Sequence, residues 1–149
     1  MRDALIPILL TALVLPCLTL CPGGAYAQTA PAFAAAGTDA AQVAAFLKAL
    51  QTSVAIGNRT KVATLFHFPL TVWIGGAETV IDGESEFQAR YSRIFDADVK
   101  KAVAEARVET AVANQEGVGF DNGRLWLRPM PEHKNALRIV AINDPNRTR

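Results

Sequence analysis

The chain has 149 residues, half of them apolar (50%), and its charges nearly cancel: 15 Lys and Arg against 14 Asp and Glu, for a formal net charge of +1. No basic run stands out, and the aromatic residues are not interleaved with Lys or Arg over any length. Nucleic-acid binding and a polybasic membrane patch therefore have no footprint in the sequence.

Residues 1–27 have the pattern of a secretory signal peptide. Arg2 supplies a positive start, residues 5–20 are apolar but interrupted by Pro7 and Pro16, and Ala25-Tyr26-Ala27 provides small residues for cleavage. The apolar run is short and broken for a membrane span, which needs about 20 apolar residues. The sequence thus predicts a periplasmic or secreted protein with no stable membrane anchor after cleavage. Both cysteines, Cys17 and Cys21, fall inside this leader. The expected mature domain is cysteine-free, so it has no disulfide framework, no thiol nucleophile and no thiolate metal site.

Residues 28–37 (QTAPAFAAAG) are Ala-rich and uncharged, which suggests a flexible mature N-terminus ahead of one folded domain over 38–144. A polar tail, 145–149, follows. Within the domain, Asp39 and Gln42 have the spacing of a capping box. Val43, Phe46, Leu47, Leu50 and Val54 then recur at helical spacing until Gly57-Asn58. A second, shorter helix carries Val62, Leu65 and Phe66 on one stripe, with Pro69 as its stop. Leu70, Val72 and Ile74 alternate with Thr71 and Trp73. Gly75-Gly76 can turn this strand back into 77–81. Ser85 and Gln88 form a second capping-box spacing ahead of Phe87, Tyr91, Ile94 and Phe95 on one helical face. Asp96 or Asp98 can cap a further helix bearing Val99, Ala102, Val103 and Ala106.

The rest is expected to be β. In 107–114, Val108, Thr110 and Val112 alternate with Glu109, Ala111 and Ala113. Val118 to Phe120 leads into Asn122-Gly123, a two-residue hairpin signal, and Arg124 to Arg128 returns. Pro129 to Asn135 is a predicted loop, and Leu137 to Ile142 the last strand. Helices followed by an antiparallel meander indicate an α+β fold.

This order resembles the NTF2-like (cystatin-like cone) superfamily, in which N-terminal helices pack on a curved antiparallel sheet. The resemblance covers about residues 39–143. Local likeness lies in LFHFPL (65–70), FQARYSRIFD (87–96), GFDNGRLWL and LRIVAIN, which are similar to a group of bacterial secreted members of unknown function. The superfamily includes ketosteroid isomerase-type enzymes with a base carboxylate and hydroxyl donors inside the cone. That set does not carry over, because the first helix has no Tyr and the face of Leu70, Val72 and Ile74 has no acid. Fold alone licenses no function.

His67 and His133 are the two histidines, with neither an i, i+4 nor an H-x-H spacing; the first is placed at a helix end and the second in a loop, so no metal site is expected. No cofactor is implied. An acid–base reading would use His67, Tyr91 and Glu109, the last being a carboxylate at mid-strand. Within Arg124-Leu125-Trp126-Leu127-Arg128, strand alternation sends Leu125 and Leu127 to the core and Arg124, Trp126 and Arg128 to the other face. Trp73 falls on that face too, with Arg138, Val140 and Ile142 from the last strand. Trp and Arg are enriched at interface hot spots, so Trp73, Arg124, Trp126, Arg128 and Arg138 form a candidate ligand or partner surface. Three arrangements stay open: the indoles cap the monomer's own sheet, form an interface (a homodimer or another protein partner), or line a pocket with Tyr91 and Phe87. The preferred function is an exported, non-catalytic binding domain for a partner or a small apolar ligand. The alternatives are a small isomerase or dehydratase working by proton transfer, and a periplasmic immunity-type protein.

Overall fold

The structure, a computed structural model, describes residues 30–145. The expected leader, 1–27, and all but the first residue of the expected tail lie outside the described residues. The fold is α+β. Five helices, α1 (Ala30–Ala35), α2 (Ala40–Ala55), α3 (Arg59–Ala63), α4 (Glu84–Ile94) and α5 (Ala97–Glu105), accompany one six-stranded sheet. Its strands are β1 (Phe66–Ile74), β2 (Ala77–Ile81), β3 (Val112–Asn114), β4 (Gly117–Phe120), β5 (Leu125–Met130) and β6 (Ala136–Ile142), in the order β2-β1-β6-β5-β4-β3. Every neighbouring pair is antiparallel except β1 and β6, which run parallel. The sheet is therefore mixed rather than wholly antiparallel.

The helical caps explain where the helices start. The Asp39 carboxylate accepts the Gln42 N–H at 2.8 Å, Asn58 accepts that of Lys61 at 2.9 Å, and Asp96 accepts that of Val99 at 2.9 Å, each satisfying an orphan first-turn donor. The expected Ser85 capping box does not form. Gly83 is the N-cap of α4, and Glu86 takes the Asp82 N–H at 3.0 Å instead. Val43, Phe46, Leu47 and Leu50 of α2 are buried, as are Phe87, Tyr91 and Ile94 of α4 and Val99, Ala102 and Val103 of α5. These stripes cover one face of the sheet. The sheet meets them with Leu70, Val72 and Ile74 of β1, Val118 and Phe120 of β4, Leu125 and Leu127 of β5, and Leu137, Ile139 and Ile142 of β6. Gln51 ties α2 to α5 by donating from Nε2 to the carbonyls of Val103 and Ala106, both at 3.0 Å.

Several expectations are corrected. The segment expected to be a flexible mature N-terminus contributes α1, with Phe33 only 2% exposed in the core. Phe33 is the one aromatic in an Ala-rich stretch of high helix propensity, and α1 packs against β3. The second helix stops at Ala63, not at Pro69, because the chain enters β1 at Phe66, which pairs with β6. The Ile139 N–H donates to the Leu65 carbonyl at 2.9 Å, and Phe66 pairs with Ile139. The expected strand over 107–114 is mostly a 3₁₀ turn, Val108–Thr110, leaving only β3 as strand. Ala111 is buried while Val112 is 55% exposed, so the inward face is the alanine face. The loop between β4 and β5 spans residues 121–124, not a two-residue turn, since Phe120 pairs with Leu125. Asp121, Asn122 and Gly123 all adopt positive φ there (49°, 53° and 84°). Finally, β6 contains a bulge: Trp126 pairs with Ala141 but Leu127 with Ile139, so Val140 is an extra residue. The bulge turns Ile142 into the core at 2% exposure, whereas strict alternation from Arg138 had put it on the outer face.

Candidate functional site

The helix-covered face is filled. Phe46, Leu50, Phe66 and Phe87 are all buried in one apolar cluster. Phe87 lies at its centre, with its ring centroid 4.8 Å from Phe66, 5.9 Å from Phe68 and from Tyr91, and 6.1 Å from Phe95. Among the described residues the buried polar side chains besides Tyr91 are Thr38 and Ser53, whose hydroxyls donate to the Gln42 side chain at 3.1 Å and to the Ala49 carbonyl at 2.7 Å. No carboxylate or imidazole is buried among them.

The residues of the acid–base reading are not assembled into one site. Tyr91 stands on α4 in the core, stacked on Phe95 at 4.7 Å with Arg59 above its ring at 5.2 Å. Glu109, expected at mid-strand, is exposed on the 3₁₀ turn after α5. His67, expected at a helix end, lies in β1 beside the buried Phe66 and is half-buried. Alternation along β1 turns it away from the aromatic cluster.

The Tyr91 hydroxyl is buried and has no hydrogen-bond partner among the described residues. Burial pushes the phenol above its ordinary pKa, and the Arg59 guanidinium draws it partly back. Tyr91→Phe is accordingly expected to change stability at pH 8 by no more than about 1 kcal/mol, because it removes an unsatisfied group rather than a bond. Above about pH 10 the unfolded chain loses the phenolic proton while the folded one keeps it, so wild-type stability falls as pH rises. The variant lacks that loss. Urea unfolding of both proteins at pH 8 and pH 10.5 checks the prediction, and a wild type that gains stability relative to the variant on going to pH 10.5 contradicts it.

The opposite face of the sheet bears no helix packed on it among the described residues, and the two tryptophans are there. Leu125 and Leu127 are fully buried at 0% exposure while Trp126 between them is half-buried. This placement excludes the arrangement in which the indoles line an interior pocket with Tyr91 and Phe87. The Trp126 ring lies over Gly119 of β4, where any Cβ would overlap it, and its Nε1–H donates to the Glu116 carbonyl at 3.0 Å. An indole on a glycine shields backbone that no side chain covers. Trp126 is thus partly committed to its own sheet.

Trp73 and Trp126 flank an open groove of about 780 Å³. Thr71, Val140 and Ala141 form part of its lining, with Glu78, Asn122 and Asn143 among its polar groups. The Asn143 side chain donates to the Gly123 carbonyl at 2.9 Å, which fixes one rim. Towards the two sheet edges the same face carries Val80 and Val112, 52% and 55% exposed. The three arginines do not act alike. Arg124 is held by Asp121 at 2.7 Å, and Arg138 donates to the Leu137 carbonyl at 3.0 Å. Arg128 is exposed, faces Arg138 across the β5–β6 ladder, and lines a smaller groove of about 480 Å³ together with His67, Gly117 and Met130.

Sequence spacing separated the two histidines, but the fold brings them together. The His67 and His133 ring centroids are 6.3 Å apart at 75°, and Glu132 Oε1 lies 3.4 Å from His67 Nδ1. The signal that could have revealed this is topological. The parallel β1–β6 pair sets the start of β1 beside the chain that enters β6. No helix among the described residues is long and apolar enough to cross a membrane. No family model, curated protein or solved structure matches the chain.

Proposed function

We propose that the protein is an exported, non-catalytic binding module of the NTF2-like type, whose ligand or partner seats on the helix-free face of the sheet around Trp73 and Trp126. The observation that carries this reading is the contrast between the two faces. One is packed solid with aliphatic and aromatic side chains, while the other keeps two half-exposed indoles, Val80 and Val112 beside a groove edged with amides and carboxylates. Large aromatics with hydrogen-bonding neighbours suit a ligand or protein segment that offers apolar area and polar groups together. The leader pattern at 1–27 supports export, and the order of helices and strands supports the NTF2-like reading. The isomerase alternative needs an ionisable base inside the cone, and the interior cluster offers none among the described residues.

The two tryptophans are the only ones in the chain, so intrinsic emission reports this face alone. Iodide is expected to quench a substantial part of that emission in dilute protein, and a bound partner is expected to protect it. Trp73→Ala combined with Val80→Glu should weaken partner binding by about tenfold or more, as for loss of an interface anchor. Emission that iodide leaves untouched, or a partner indifferent to both substitutions, would remove the proposal.

A further inference from the structure

The connection from β5 to β6 presents a cluster that the binding face does not use. Beyond Met130 the chain makes a 3₁₀ turn, Pro131–His133, and then places Lys134 and Asn135 in succession in the left-handed region at φ 56° and 59°. Lysine has no intrinsic reason to adopt that conformation, which costs a residue with a Cβ something that glycine does not lose. The turn is pinned by the Lys134 N–H donating to Pro131 and the Asn135 N–H to Met130, at 3.1 Å and 3.0 Å. Its effect is to stand Glu132 and His133 against His67 of β1. One ligand atom from each of the three residues lies within 4.8 Å of the others. His67 is half-buried, while Glu132 and His133 are exposed.

A hydrogen-bonded ion pair would account for His67 and Glu132 but not for the second imidazole beside them. Two imidazoles and one carboxylate are a nitrogen-rich, borderline donor set of the kind that zinc and its neighbours take, with three protein ligands and an open fourth position. Tetrahedral zinc with bonds near 2.0–2.1 Å requires donor atoms about 3.3 Å apart. The His67–Glu132 separation of 3.4 Å already meets that spacing. The remaining closure falls to His133 and Glu132, whose side chains lie at the surface.

We propose that His67, Glu132 and His133 form a binding site for a late first-row divalent cation, zinc in particular, that clasps the β5–β6 turn to the start of β1. The site rests on this cluster alone and is independent of the tryptophan face, so either proposal can fail without the other. Water or an anionic group would complete the coordination, on the side of the groove that Arg128 lines.

The test uses the full chain without an affinity tag, with Cys17→Ser and Cys21→Ser so that thiolates contribute nothing. Zinc is titrated in competition with a chromophoric chelator. About one equivalent should bind, and His67→Ala and His133→Ala should each weaken it by more than the roughly 10–100-fold that loss of an outer-shell partner costs. Glu132→Gln should weaken it less than either. Cobalt should give the intense visible bands of a four-coordinate site in the parent and not in His133→Ala. Zinc should raise the Tm of the parent, raise that of Glu132→Gln by less, and leave those of His67→Ala and His133→Ala unchanged, since only a ligand that binds the folded state shifts unfolding. His133 is exposed and its loss should leave the fold intact, so that variant keeps the test valid should His67→Ala misfold. Zinc affinity unchanged in all three variants would overturn the proposal. So would a Glu132→Gln variant whose Tm drops equally with and without zinc, which marks a plain ion pair.

Discussion

Replacing Phe87 with alanine is expected to destabilise the domain by about 4 kcal/mol, the range for a fully buried phenylalanine. Phe87 has 0% exposure and sits within aromatic contact distance of Phe66, Phe68, Tyr91 and Phe95. Two of those rings belong to β1 and two to α4 or its C-cap. Truncation therefore removes the packing that seats the helix on the sheet as well as the transfer energy of one side chain. The flanking rings are themselves anchored at different places, so the cavity cannot collapse cheaply. Tm should fall by about 15 °C. Thermal and urea unfolding check this, and a loss below about 1 kcal/mol would mean that α4 does not lie where it is described. Tyr91→Phe, one turn along the same helix, serves as the contrast, because it leaves every ring in place.

Gly117→Ala should cost about 3 kcal/mol, for two separate reasons that add at one atom. Gly117 has φ 136°, a region that a residue with a Cβ enters only at a cost of about 1–3 kcal/mol. A Cβ there would also meet the Leu127 carbonyl oxygen of the neighbouring strand and come within 3.0 Å of Arg128 Cγ and 3.1 Å of Trp126 Nε1. A backbone carbonyl in a ladder cannot step aside without breaking the β4–β5 pairing. The Trp126 Nε1 bond to Glu116 should be lost with it, so tryptophan emission is expected to shift together with stability. Gly119→Ala is the informative control. Its Cβ would strike only the Trp126 ring, a side chain that can swing away, so emission should move more than Tm. Equal Tm for Gly117→Ala and wild type would show that β4 follows a different path.

The parts of the fold legible in the sequence are those with a local cause. The α2 stripe, the Asp39 and Asp96 caps, the alternation of Leu70, Val72 and Ile74, and the opposed directions of Leu125, Trp126 and Leu127 each follow from residues within a turn or two. What escaped local reading has a distant cause. Val62, Leu65 and Phe66 fit helical spacing over so short a window that only the parallel partner β6 decides for strand at Phe66. Val108, Thr110 and Val112 look like a strand face, yet the small Ala111 is what fits beneath the helices. A bulge has no local signature at Val140, since it is defined by the neighbouring strand. The same holds for the site residues. The outward direction of the tryptophans was readable, but the meeting of His67 with His133 depends on the crossover that aligns β1 with β6.

The bulge in β6 also divides that strand into two stretches that obey opposite rules. Up to Ile139, odd-numbered positions point at the helices; past Val140, even-numbered ones do. The strand thus changes parity midway, and tolerance to substitution should change parity with it: an apolar-to-charged swap is ruinous at 137, 139 and 142 yet mild at 141, and position 138 already carries an arginine. Deleting Val140 alone would remove the extra residue and restore strict alternation with Ala141 still outward and Ile142 still inward, so the strand should tolerate the loss of that one residue.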